Sequence, residues 1–489
     1  MTFQLKEPSL LFINNEFIQA HTGQTFSDTC PADGKQLALV SLAQKEDVDL
    51  AVTAAKTAFD KGEWRLMPPK ERAAVLRKIG DGILARREYL ATLESLDTGK
   101  PWQETFYGDV PRSADNFYHF ADLIAHQSFQ TFQGSDGSLH TSLRTPLGVC
   151  ALITPWNLPL YLETWKLAPA LALGNSVVLK PAELTPLSAN ALAAIVKEAG
   201  VPSGVFNVVQ GFGAQSTGQF LVEHPEVSAI SFTGETTTGS SIMRSAAQGL
   251  KKVSFELGGK GASLIFADAD LEKAIKTCAR AAFRNQGQIC LAGSRLIVES
   301  KIKSQVIEHL LLEVKNIKIG HPLEKTTTMG CLISFEHRDK IASYIKIARD
   351  EGYQILCGGA TPENLDKGAY IAPTVIDGVK QNSALIQEEI FGPVLTLQTF
   401  ESEEEAIALL NGTPYGLSCS IWTQNHQRAQ KLSAAARMGM VWINDWFVRD
   451  LHTAFGGMKR SGLGREGGNF SLDFFSEYKT ITSPGYFST

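Results

Sequence analysis

Apolar residues along this chain repeat with two different periods. Over residues 47–61, Val48, Val52, Ala55 and Phe59 recur on one face of a 3.6-residue helix. From residue 145 onward the apolar residues come instead in short β-branched runs, VCALITPW, NSVVLKP, GVFNVVQG and VSAISFTG, punctuated by Gly or Pro. Such runs predict strands buried on both faces. Helical stretches at residues 187–199 and 215–223 lie between them, and that alternation predicts a parallel, doubly wound sheet. After LGGK (257–260) the pattern restarts with SLIFAD, SRLIVES, a helix through 307–314, and strands near APTVI and GPVLTLQTF. The restart predicts a second α/β unit with a boundary near residue 258. The longest uncharged stretch, residues 145–162, approaches membrane-spanning length but contains Pro146, Pro155 and Pro159 beside Trp156 and Asn157. It reads as a buried strand running into a loop.

A chain of 489 residues is too long for one core, so two or three domains are expected. With 46 Lys+Arg against 51 Asp+Glu, the net charge of −5 offers no footprint for nucleic acid or anionic lipid, and neither partner is expected. The seven cysteines are scattered (Cys30, Cys150, Cys278, Cys290, Cys331, Cys357, Cys419) and form no C-x-x-C pair. That spacing argues against a disulfide framework or a metal site and for a reducing compartment. The N-terminal MTFQLKEPSLLFIN lacks the basic start and apolar run of a secretory signal, so a cytoplasmic location is expected. No internal repeat or low-complexity linker is visible.

Three short segments carry the chemistry. Cysteine is most often a small buried hydrophobe, and six of the seven read that way. Cys290 differs because it follows Asn285-Gln286-Gly287-Gln288, a polar stretch able to expose its sulfur, and an exposed thiolate attacks carbonyls. Glu256 lies between apolar Phe255 and Leu257, ahead of Gly258-Gly259, so it reads as a buried strand end. Desolvation there raises a carboxyl toward the range of a general base. Asn157 in PWNLP would by default be a turn residue, but its amide is also a donor for an oxyanion. The glycine-rich GFGAQSTG (211–218) and GETTTG (234–239) have the wrong spacing for the ordinary dinucleotide fingerprint.

Read together, FRNQGQIC, FELGGK and PWNLP resemble the catalytic core of the NAD(P)-dependent aldehyde dehydrogenase superfamily, with further matches from about residue 10 to residue 480. The resemblance implies an α/β fold with a variant Rossmann cofactor domain (1–126 and 145–258), a second α/β catalytic domain (259–470), and a small β oligomerisation arm (127–144 and 471–489). The arm implies a homo-oligomer, dimer or tetramer, because a lone β arm exposes edges for another subunit. The resemblance also implies that Cys290 adds to an aldehyde, that Asn157 and the Cys290 backbone N–H hold the oxyanion, and that Glu256 activates water to release a free acid. NAD is the implied cofactor. Gly234 and Gly239 match the turn at its pyrophosphate, and Trp156 and Leu257 are further implied cofactor-binding positions. Lys180 and Glu183 match the adenosine-ribose pair, and Glu389 and Phe391 match the nicotinamide-ribose and ring contacts. A carboxylate at Glu183 would repel a 2′-phosphate, which favours NAD over NADP.

The segment WFVRDLHTAFGGMKRSGLGREGG (446–468), together with FTGETTTG and Leu291 after the nucleophile, resembles the branch acting on 2-hydroxymuconic or 2-aminomuconic semialdehyde, in aromatic-compound catabolism. In that branch two arginines hold the far carboxylate of the substrate, and they match Arg112 and Arg449. A planar guanidinium grips a carboxylate bidentately, although most arginines are surface or interface residues. Two positions depart from the branch: Asp445 stands where small neutral residues are common, and His452 replaces a frequent arginine. A broad-specificity or betaine-type aldehyde dehydrogenase shares the same core machinery. An NAD-independent cysteine hydrolase would need a histidine partner, and none of the ten lies near the motifs in sequence.

Overall fold

The computed structural model describes residues 8–126 and 128–484. The chain opens with an antiparallel pair, Leu11–Ile13 (β1) and Glu16–Ile18 (β2), followed by the helices Lys45–Lys61 (α1) and Pro69–Ala85 (α2). Helix α1 starts at a reciprocal cap, in which the Asp47 carboxylate accepts the Gln44 N–H at 2.8 Å, and stops at left-handed Gly62. Its buried face is Val48, Ala51, Val52, Ala55 and Ala58. Phe59 is only half-buried, because the stripe turned toward the sheet passes through Ala58 instead.

Helix Val110–Ala125 (α3) leads to the hairpin Gln130–Gln133 (β3) and Leu139–Pro146 (β4), and then the expected strands appear in order. They are Val149–Ile153 (β5), Ser176–Lys180 (β6), Phe206–Val208 (β7), Val227–Thr233 (β8) and Lys252–Glu256 (β9). The intervening helices are Pro159–Ala172 (α4), Leu187–Glu198 (α5), Thr217–Glu223 (α6) and Thr236–Gln248 (α7). Helix α6 begins two residues later than the sequence pattern predicts because Gln215 adopts a left-handed φ of 54°. The uncharged stretch 145–162 is a strand and a loop as expected, but its last residues already form the first turn of α4, started by Pro159. Among the described residues no helix is long and apolar enough to cross a membrane.

Strands β7, β6, β5, β8 and β9 pair in parallel, in that order. Their side chains are almost all fully buried, which accounts for the continuous rather than alternating apolar runs. Each fully buried Val, Ile or Leu contributes roughly 1.5–3 kcal/mol over an exposed one. Antiparallel β1 and β2 extend one edge, and the short strand Gly462–Leu463 closes the other against β9. That last pairing brings a segment from far down the chain against the end of β9.

The second sheet has seven strands, parallel except at one edge: Ala262–Ile265, Arg295–Glu299, Gln354–Cys357, Thr374–Asp377, Val394–Phe400, Ser418–Trp422 and Met440–Ile443. The restart after residue 258 is therefore a second α/β layer system. Finally, Ser476–Ser483 pairs antiparallel with β4, which also pairs with β3. This three-stranded sheet exposes Phe132, Tyr478 and Ile481. Residues 1–7, 127 and 485–489, to which the sequence reading also gave domain roles, lie outside the described residues.

Candidate active site

The site forms where parallel strands end. Thr233 and Glu256 are register partners at the C-terminal ends of β8 and β9, and the Gly234 N–H donates to the Glu256 carbonyl at 3.0 Å. The chain turns at Gly234 into α7, whose free N–H groups and dipole favour an anion. Gly239 in that helix packs directly under Leu257: a Cβ there would lie 2.7 Å from Leu257 Cδ2.

Cys290 is delivered by an unusual loop. Asn285, Gln286 and Gly287 all have positive φ (49°, 56° and 72°), a strained run for the two non-glycine residues. Side-chain bonds hold it: Asn285 Nδ2 donates to the Asn157 carbonyl at 3.0 Å, and Gln286 Nε2 donates to the Cys331 carbonyl at 2.7 Å. At Gly287 a Cβ would sit 2.2 Å from the Gly392 carbonyl, so only glycine fits. Asn157 Nδ2 in turn donates to the Gln288 carbonyl at 2.8 Å, which joins the amide to the nucleophile loop and uses one of its two hydrogens. The Cys290 thiol is pushed up to about 12 by burial and by the acids Glu256 and Glu389, while Arg449 and the Leu291 N–H oppose the shift. No described hydrogen bond or ion pair joins a histidine to it.

Glu256 is buried with neither carboxylate oxygen hydrogen-bonded. Burial, then the nearby Glu466, hold its carboxyl well above the usual range, and Lys166, Arg465 and Arg449 pull the other way. Sequence reasoning missed Glu466, since a glutamate between Arg and Gly in a glycine-rich segment reads as surface. In the fold it is buried, accepting from Lys166 Nζ and Trp165 Nε1, each at 2.6 Å. Lys166 and Trp165 come from α4, every residue of which is buried.

Two cavities flank these groups. One, of about 320 Å³, is lined by Trp156, Asn157, Gly234, Glu256, Leu257, Cys290, Glu389 and Phe391. It also takes in two cations that the sequence did not single out, Lys340 and Arg460. The Trp156 and Phe391 rings meet edge-to-face at 5.2 Å. Glu389 Oε1 accepts the Gly259 N–H at 2.7 Å, and burial pushes its carboxyl up to about 7. Lys180 and Glu183 lie outside this lining, at the end of β6, 3.5 Å apart.

The other cavity, of about 200 Å³, is lined by Arg112 from α3, Arg449, Tyr161, Phe447, Lys100, Asp109 and Arg284. Leu158 and Ile289, the chain neighbours of Asn157 and Cys290, line it too, so the two cavities lie on either side of the same pair of segments. Arg449 donates to the Tyr161 hydroxyl at 3.1 Å, and its guanidinium lies 3.9 Å from the Phe455 ring centre. Arg112 Nη2 is buried without a partner. Leu291 lines neither cavity: it is buried behind the loop, and its carbonyl accepts the Trp446 indole N–H at 2.9 Å.

The model of the aldehyde dehydrogenase family matches residues 17–481. A 2-hydroxymuconic semialdehyde dehydrogenase of Pseudomonas sp. (strain CF600) is 47% identical over 477 residues, covering 96% of this chain and 98% of that relative. A 2-aminomuconic 6-semialdehyde dehydrogenase of Pseudomonas sp. is 45% identical, covering 96% of each. Among solved structures, the NAD+ complex of an aldehyde dehydrogenase from Bacillus cereus superposes with a TM-score of 0.96 at 41% identity, covering 98% of this chain and 97% of that one.

Proposed function

Because the chain belongs to the aldehyde dehydrogenase family and is an NAD-dependent oxidoreductase, we propose that its substrate is a carboxylated semialdehyde of the 2-hydroxymuconic or 2-aminomuconic type, oxidised to the acid in aromatic-compound catabolism. The observation that carries this reading is the pair Arg112 and Arg449 in one small cavity beside Cys290, neither ion-paired to a carboxylate among the described residues. Partly buried guanidinium groups without an acidic partner favour a substrate that brings its own carboxylate.

The residues of the larger cavity suit NAD. The N-terminus of α7 fits a pyrophosphate, and Lys340 and Arg460 add positive charge. Gly258 leaves room where a Cβ would lie 2.2 Å from Glu389 Oε2, which lets a ribose approach that carboxylate. At the end of β6, Glu183 suits ribose hydroxyls and opposes a 2′-phosphate. When bound there, NAD supplies the hydride acceptor.

The chain's own groups then take these roles. With Glu256 ionised, the Cys290 thiol gives it a proton as the sulfur adds to the aldehyde carbon, and the remaining amide hydrogen of Asn157 with the Cys290 N–H holds the oxyanion. Loss of hydride leaves a thioester on the sulfur. Glu256 takes a proton from water, whose oxygen attacks the thioester carbon; the C–S bond then breaks and the sulfur takes that proton back from Glu256 as the acid forms. Burial and Glu466 raise the Glu256 carboxyl, which strengthens it as a base once the proton taken from the thiol has left.

In the same reading, residues 1–126 and 145–258 form the cofactor domain, residues 259–470 the catalytic domain, and the three-stranded sheet an arm for a dimer or tetramer in the cytoplasm. A betaine aldehyde dehydrogenase of Bacillus subtilis is 42% identical. Two unpaired arginines beside the nucleophile would repel a cationic aldehyde, which argues against that specificity here. The test is to follow NADH formation with freshly generated 2-hydroxymuconic semialdehyde and with propanal. A specificity constant at least about a hundredfold higher for the semialdehyde is expected, and comparable constants would discard the assignment.

A further inference from the structure

The cavity that holds Arg112 and Arg449 also contains an acid. Asp109 closes a π-helical turn, Thr105–Asp109, that runs directly into α3, and it stands three residues before Arg112. Residues three apart on a helix are neighbours, so aspartate and arginine at this spacing ordinarily pair. Such a pair would neutralise the guanidinium. The structure shows a different partition of charge: Asp109 Oδ2 accepts a hydrogen bond from Lys100 Nζ, while Arg112 Nη2 is buried with no partner.

Lys100 reaches Asp109 from a constrained position. It follows left-handed Gly99, where a Cβ would lie 2.4 Å from Cys331 Sγ, and its own N–H donates to Thr98 Oγ1 at 3.1 Å. Its side chain is 3% exposed and that of Asp109 10%, so solvent screens the pair little. The other acid near Lys100 is Glu94: its Oε1 accepts the Leu160 N–H at 3.2 Å, capping the start of α4, its Oε2 has no hydrogen-bond partner, and the Lys100 ammonium bonds Asp109 instead. Arg284, at the same cavity, is held by Glu104 at 3.2 Å. Apart from Arg112 and Arg449, every charged group lining the cavity thus has a partner of opposite sign.

We propose that Lys100 is a specificity-determining positioning residue, which holds the Asp109 carboxylate away from Arg112 so that this guanidinium stays free for the carboxylate of the substrate. The inference rests on the carboxylated-semialdehyde reading above. It adds that the anion selectivity of the cavity depends on a residue that never touches the substrate carboxylate itself.

The experiment uses the full-length enzyme saturated with NAD, and reads the ratio of specificity constants for 2-hydroxymuconic semialdehyde over propanal. In Lys100→Met the freed Asp109 captures Arg112, and the ratio should fall at least about tenfold, through KM for the semialdehyde. Adding Asp109→Asn should restore most of it, and Lys100→Arg should retain it. In an Arg112→Ala background, Lys100→Met should change the ratio by less than about twofold, since the group it protects is gone. A ratio unaltered by Lys100→Met would overturn the proposal. So would equal losses on both aldehydes that track a lowered Tm, since those mark a purely structural pair. If the wild-type enzyme shows no preference for the semialdehyde, the substrate reading falls before any variant is compared.

Discussion

The cofactor-side cavity combines strand ends, glycine turns and a helix N-terminus with both acidic and basic side chains, whereas the smaller cavity on the other side of Cys290 sets five charged side chains from three distant segments among Leu158, Tyr161, Ile289 and Phe447. The first recognises its ligand mostly through backbone geometry: Gly234 turns the chain, Gly239 lets α7 pack on Leu257, and Gly258 clears space at Glu389. The second recognises by charge balance, with Lys100, Asp109, Arg112, Arg284 and Arg449 sharing a small volume. Backbone geometry serves any aldehyde equally, whereas a charge balance selects among aldehydes. The two cavities therefore predict different kinetic signatures, and each prediction below tests that division.

The largest effect belongs to the group common to both sides. Cys290→Ala should lower dehydrogenase turnover by on the order of 10⁴-fold or more on every aldehyde, as loss of a covalent nucleophile does. NAD binding, followed by quenching of tryptophan fluorescence, should persist. Loss of NAD binding as well would mean that the two cavities are not separable at this residue.

Next, Arg449→Ala should cost the semialdehyde on the order of 10²-fold in kcat/KM and propanal less than about threefold, because truncating one partner of a hydrogen-bonded charge pair costs roughly 2–5 kcal/mol. Equal losses would move Arg449 from selection to the shared chemistry, where its influence on Cys290 and Glu256 already gives it a foothold. Gly258→Ala tests the other wall. A methyl 2.2 Å from Glu389 Oε2 forces that carboxylate aside, so KM for NAD should rise about tenfold with both aldehydes alike. A change confined to one aldehyde would break the division.

The smallest effect is a shift in pH dependence. Glu466 raises the Glu256 carboxyl, so in Glu466→Gln that contribution disappears and Glu256 loses its proton at lower pH. The ascending limb of kcat against pH should then move toward acid. Lys166 and Trp165 donate to the two different oxygens of Glu466, so Gln keeps an acceptor for only one of them, and Tm is read beside the pH profile. A limb that stays in place would show that Glu256 does not set it.

The cofactor side was the more legible in sequence. Strands β5 to β8 announced themselves as apolar runs ended by Gly or Pro, because burial on both faces leaves no room for alternation, and β9 was expected only from its buried end at Glu256. Cys290, Glu256 and Asn157 stood out through their immediate neighbours, and the structure brings all three to one cavity. Glu466 gave no such signal. Its burial depends on Lys166 and Trp165 of α4, which are remote in the chain. Leu291 was singled out beside the nucleophile; it is buried in one apolar cluster with Leu158, Tyr161 and Ile289 and lines neither cavity. Lys100 and Asp109 passed unnoticed because an isolated lysine and aspartate ordinarily mark a solvated surface.

From its sequence alone this protein was determined to be a two-sheet α/β enzyme of the aldehyde dehydrogenase family with a thiol nucleophile, since periodicity and short motifs are local properties of the chain. Only the tertiary structure decided which acid sits beside Glu256 and which base Asp109 takes. Ion pairing and desolvation depend on distances between segments that the chain order does not encode.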